Sequence, residues 1–216
     1  VIYWDMRTGA PKKGLPQRAE VIGTLSAELF ALQTSDELGH LLEEIAKEEL
    51  DFVTKRLYEE VKKSYDESKK IPADEYKAYV ILQSKAEAIW EEAKEKSDFA
   101  LFLPYLQQII DYQKKFVQYW GIKNGSAYNT LLDKYEPDMT TEILDRVFGE
   151  LRETIVPLVK AINESPNKPD TSILFKTFPK EGQRAASLEL LQQLGYDFEA
   201  GRLDETVHPF MIGLNS

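Results

Sequence analysis

The stretch "SDFALFLPYLQQIIDYQKKFVQYWG", residues 97–121, decides the fold class. Its apolar residues Phe99, Phe102, Leu106, Ile109, Ile110, Phe116, Val117 and Trp120 recur at helical intervals, over a span too long for a strand. Gly121 stops the pattern, and Pro104 is expected near the helix's first turn, or as a kink further in.

The same period extends outward on both sides. Residues 16–33 open on Pro16, which suits a first helical position because its missing N–H would have no partner there. Val21, Leu25, Leu29 and Leu32 form its stripe. Thr34 and Glu37 have capping-box spacing ahead of Leu38, Leu41, Leu42 and Ile45. Residues 50–70 carry Val53, Leu57, Val61 and Tyr65, and a turn at Ile71-Pro72 starts a helix with Tyr76, Tyr79, Val80, Ala86, Trp90 and Ala93 on one side. On the far side, Asn124-Gly125 signals a turn. Thr140 or Thr141 can cap a helix bearing Ile143, Leu144, Val147, Leu151, Ile155, Leu158 and Ile162. The polar, proline-containing loop 163–172 follows, then "ILFKTF" (173–178), the best strand candidate. A helix over about 179–194 ends at Gly195, and the remaining residues show no helical period. The expectation is a mainly all-α chain: one helical region over 1–216, the loop 163–172 as its only candidate linker, and a short-stranded or irregular C-terminal end.

Composition narrows the function classes. The chain has 216 residues, 43% of them hydrophobic, enough to bury a sizeable core. A formal charge of −10 argues against a nucleic-acid binder, since phosphate recognition needs a basic face. No apolar run reaches the roughly 18 residues of a membrane span. There is no Cys, which excludes disulfides and thiolate metal sites and fits a reducing cytoplasm.

The chemistry-bearing residues are few. His40 lies on a predicted helix beside Glu48, Glu49 and Asp51 and reads as a partly exposed helical histidine on a solvated face. No H-E-x-x-H and no G-x-S-x-G is present. His208 precedes Pro209, which holds it extended. It reads either as a histidine packed at a strand edge or as a pre-oriented hydrogen-bond donor in a cleft. A metal site from Asp204, Glu205 and His208 would need a helix that Pro209 and Gly201 oppose. Trp4-Asp5, followed by Thr8, Gly9 and Pro11, reads as a packed aromatic with a turn, and Trp90 and Trp120 read as core.

The C-terminal block "GYDF" (195–198), "GRLD" (201–204), "HPF" (208–210) and "GLN" (213–215) resembles the carboxypeptidase Taq family of metallopeptidases. "YWDMRTGAPKKG" (3–14), "SDFALFLPYL" (97–106), "YNTLLDKYEPDMTT" (128–141) and "FPKEGQ" (178–183) resemble other landmarks of that family, in the same order, from Tyr3 to Asn215. The resemblance implies a helical half of a two-lobed, neurolysin-like enzyme that removes single residues from peptide C-termini using a divalent metal, zinc. It implies that the H-E-x-x-H helix lies downstream, in a missing C-terminal half. It also implies that this chain alone binds no metal and is inactive, and that the enzyme is a homodimer. His208, Pro209 and Phe210 would then be substrate-binding, lining the groove. The competing expectation is a non-enzymatic helical scaffold or interaction module. Residues from about 196 onward are expected to be poorly packed within this chain.

Overall fold

The computed structural model describes residues 1–213 except Asn124, so the Asn124 half of the expected turn and Leu214-Asn215 of the C-terminal block lie outside the described residues. The helices are α1 (Ile2–Thr8), α2 (Leu15–Gln33), α3 (Asp36–Ile45), α4 (Phe52–Ser68), α5 (Ala73–Lys96), α6 (Phe99–Trp120), α7 (Ala127–Leu132), α8 (Thr141–Glu164) and α9 (Lys180–Gln193). Among the described residues there is no strand, only an isolated bridge between Lys123 and Ser126. The chain divides into two compact bodies, residues 1–140 with the segment from Val207, and residues 141–206.

The core of the first body lies where α5 packs against α2 on one side and α6 on the other. Ala19 and Phe30 of α2, Tyr79, Leu82, Ala86 and Ala93 of α5, and Phe116 and Val117 of α6 are buried there. Gly23 lets α2 approach α5, because a Cβ at that position would overlap the Ile81 side chain. Phe30 stacks on Tyr76 with ring centroids 4.3 Å apart, and Phe116 meets Tyr79 edge-on at 5.1 Å. Gln113 Nε2 donates to the Tyr79 hydroxyl, and burial pushes that phenol up. Ser97, left-handed at φ 52°, turns α5 into α6.

A second knot fastens α7. Asp133, 6% exposed, accepts from Lys123 Nζ at 2.7 Å, Lys63 Nζ at 3.0 Å and the Asp138 N–H at 3.0 Å. Lys123 chiefly, with that N–H, holds the carboxyl well below the usual carboxylate range. Glu67 receives Lys123 at 3.4 Å and also Lys134, whose ammonium lies 3.8 Å from the Trp120 ring centroid.

The second body consists of α8, a turn of 3-10 helix at Ser172–Phe175, α9, and turns leading to Thr206. None of its residues is buried. α9 ends as expected, with Gly195 at φ +80° just beyond it.

Three local expectations need correction. The "ILFKTF" strand is instead the 3-10 turn: Asp170 Oδ1 accepts from the Ser172 N–H at 2.9 Å and Thr171 O from the Leu174 N–H at 2.9 Å, which closes the backbone on itself. The cap of α3 is Ser35, whose Oγ accepts from the Leu38 N–H at 3.2 Å, while the Thr34 hydroxyl donates to Phe30 O at the end of α2. Pro104 sits inside α6 beyond its first turn. The Trp4-Asp5 stretch lies in α1, and the expected turn follows it at Gly9.

Candidate functional site

The segment Val207–Gly213 has no helix or strand and joins the first body. Phe210 is its anchor. The Phe210 ring sits edge-to-face on two consecutive rings of α1, Tyr3 at 5.5 Å and 82° and Trp4 at 5.1 Å and 63°. His208 is exposed and faces Trp90 of α5, with ring centroids 6.1 Å apart. Its Nδ1 lies 3.0 Å from Pro209 O. A carbonyl oxygen only accepts, so this contact places the proton on Nδ1 and leaves Nε2 an acceptor in the neutral ring.

α1 owes its position to a charged anchor. Arg7, its side chain 4% exposed, donates to Glu91 Oε1 at 3.0 Å through Nη1 and to Glu87 through Nη2. The guanidinium carbon lies 5.5 Å from the Tyr3 ring centroid, and Tyr3 Oη donates to Glu87 Oε1 at 3.0 Å. Burial first, then the Glu87 charge, pushes the Tyr3 phenol up. Arg18 Nε from α2 donates to Asp5 Oδ2 at 2.9 Å. Arg7 Nε is buried without a partner, a cost that the two charge-assisted bonds offset.

Beside this assembly lies a cavity of about 790 Å³ whose walls include Leu15, Pro16, Ser84, Ile89, Tyr105 and Val207. Val207 thus lines the cavity next to the exposed His208. The Ser84 hydroxyl is buried without a partner. Lys12, Lys85, Glu91, Glu92, Lys94 and Glu95 line it as well, and an opening of this size with apolar and charged walls and a buried hydroxyl suits a peptide or a similar mixed-polarity ligand.

The structure therefore places Phe210 on α1 and His208 against α5, with Pro209 between them. His40 is exposed on α3, and Asp51 of the nearby acidic run caps α4 by accepting from the Val53 and Thr54 N–H groups. No group of three or more His, Cys, Asp or Glu side chains able to hold a metal lies among the described residues. Asp204 accepts from Arg202 Nε at 2.6 Å and Glu205 pairs with Lys180, so neither stands ready as a ligand beside His208. The residues here do not fit a metal centre.

Arg7, Glu87 and Glu91 went unnoticed in the sequence reading. Two signals were present: an arginine within an aromatic and apolar run, and two carboxylates one helical turn apart. Trp90, read as core, is partly exposed and meets the histidine.

A family model described as carboxypeptidase Taq (M32) metallopeptidase matches residues 1–216. The chain is 54% identical over 217 residues to Carboxypeptidase 1 of Bacillus subtilis, covering 100% of this chain and 43% of that protein. It is 36% identical over 223 residues to Thermostable carboxypeptidase 1 of Thermus thermophilus, covering 98% of this chain and 44% of that protein. The solved structure named "BsuCP Crystal Structure" superposes with a TM-score of 0.92 at 55% identity, over 99% of this chain and 43% of that one. An M32 carboxypeptidase from Deinococcus radiodurans R1 superposes at 0.76 with 28% identity, over 98% of this chain and 42% of that one. The chain thus spans less than half the length of the relatives it matches.

Proposed function

The chain belongs to the carboxypeptidase Taq (M32) metallopeptidase family, and on that footing we propose that its residues form one wall of the peptide groove in a metal-dependent carboxypeptidase that releases single amino acids from peptide C-termini. The observation that carries this reading is the presentation of His208: exposed, held by ring contacts, and next to a residue lining a ligand-sized cavity.

The chain's own contribution is binding and orientation. Neutral His208 accepts a peptide N–H at Nε2, because Nδ1 is committed to Pro209 O. As imidazolium it donates from Nε2 to a carbonyl oxygen, or to the oxyanion that develops from it. Pro209 limits the backbone next to the ring, and Phe210 fixes the segment to α1. The metal, zinc in this proposal, supplies carbonyl polarisation and an activated water when bound. Among the described residues no cluster of His, Cys, Asp or Glu is able to hold it. The 216 residues alone are expected to be inactive. The same reading takes the enzyme as cytoplasmic and homodimeric, in keeping with a cysteine-free composition and exposed apolar side chains such as Phe148 and Leu158.

A chimera tests the proposal. These 216 residues replace the matching 43% of the Bacillus subtilis Carboxypeptidase 1, and release of the C-terminal amino acid from a peptide is followed. The chimera should turn over and the 216-residue chain should not. His208→Ala in the chimera should lower kcat/KM by about 100- to 1,000-fold at unchanged metal content, the range for losing one oxyanion-stabilising hydrogen bond. Full activity of His208→Ala, or a folded and metallated chimera without turnover, would overturn the reading and favour a scaffold role.

A further inference from the structure

We propose that α1 is a positioning clamp for His208, with Arg7 as its anchor. A seven-residue helix is too short to hold itself in place, so tertiary contacts must set its position. Arg7 supplies them. Its planar fork meets two carboxylates of α5, Glu87 and Glu91, from a nearly fully buried position. Those carboxylates sit one turn apart and repel each other unless a cation bridges them. The bridge therefore fixes α1 along α5 as well as against it.

The clamp surface follows from helix geometry. Tyr3 lies one turn before Arg7, so its ring falls beneath the guanidinium and its hydroxyl shares Glu87. Tyr3 and Trp4 together hold Phe210. Pro209, between Phe210 and His208, has a locked φ, and Val207-His208 form a bend just before it. Fixing Phe210 thereby limits where the imidazole can go. The place it reaches is Trp90, which lies between Glu87 and Glu91 in the sequence of α5. One helix thus carries both the carboxylates that fasten the clamp and the indole that receives the histidine. Arg7, Tyr3, Trp4 and Trp90 are positioning residues: they act through His208 and Phe210. The claim that this positioning serves a peptide rests on the groove-wall reading; the positioning itself does not.

The chain has only two histidines, so its imidazole proton NMR spectrum contains His208 and, as an internal control on α3, His40. The Trp90 ring current shifts the His208 signals, and Trp90→Leu marks their unshifted place. Arg7→Gln should move the His208 signals more than half of the way to that place while His40 stays put. Tyr3→Phe, which keeps the ring, should leave them where they are. If Arg7→Gln does not fold by circular dichroism, the pair Tyr3→Leu with Trp4→Leu decides instead, since it leaves the ion pairs intact and removes the clamp surface. Unmoved His208 signals in the folded variant would overturn the clamp. The same substitutions in the chimera should lower kcat/KM for peptide at unchanged metal content. Displaced signals with undiminished turnover would overturn the groove-wall reading and leave the clamp standing.

Discussion

α6 and α8 are both long amphipathic helices, of 22 and 24 residues, and their fates differ. α6 buries Phe116 and Val117 against α5. α8 buries nothing: Leu151 is 45% exposed, Ile155 47% and Leu158 56%. The contrast extends to their bodies, since residues 1–140 hold every buried side chain among the described residues and 141–206 hold none. A helical period states which face is apolar. It does not state what covers that face, and stability comes from the covering.

The largest expected effect lies on the α6 side. Phe116→Ala removes a ring in contact with Tyr79, Tyr112 and Trp120 and should cost about 3–4 kcal/mol, read as a lower urea midpoint in tryptophan fluorescence. A loss below 1 kcal/mol would mean that this core is not packed as described.

A smaller effect is expected at the α7 knot. Asp133→Asn leaves Lys123 and Lys63 without their shared carboxylate and should cost about 2–3 kcal/mol, discounted because both lysines are partly open to water. Its pH dependence has a definite sign. The folded-state pKa is depressed, so the stabilisation is fully present above the unfolded carboxylate value of about 3.9 and is lost as pH falls through the lower folded value. The native chain should therefore lose more stability than Asp133→Asn on acidification below about pH 4, checked by urea titrations at several pH values. Equal slopes would show that the ion pairs are not formed in solution.

The smallest effect belongs to α8. Leu151→Ala should change the stability of this chain by less than about 0.5 kcal/mol, because the leucine is half exposed and alanine is the better helix former. A loss near that of Phe116→Ala would erase the comparison, since it would mean that α8 is packed in solution.

The helices were legible because their signals are local. Pro16, the stripe through Val53, Leu57, Val61 and Tyr65, and Gly195 mark helices close to where they occur. The failures were local ambiguities settled by neighbours. Thr34 and Ser35 are both good caps, and the length of α2 assigned one to each helix. "ILFKTF" has strand-like composition, but a strand needs a partner for its backbone groups, and none pairs with it among the described residues. At the candidate site, His208, Pro209 and Phe210 stood out in the sequence, whereas the residues holding them did not. Arg7 and Glu91 are separated by 84 positions, and no periodicity spans that gap.

The sequence by itself determined that this is a helical chain, and its ordered segments pointed to the metallopeptidase family that the comparison then established. Capping, period and motif order reside in neighbouring residues, which is why they can be read without a fold. Only the tertiary structure decided that α1 is a helix pinned by a buried arginine, that Phe210 rests on Tyr3 and Trp4, and that His208 faces Trp90. Those pairings depend on distant side chains meeting in space, and the packing of α1 and α5 brings them together.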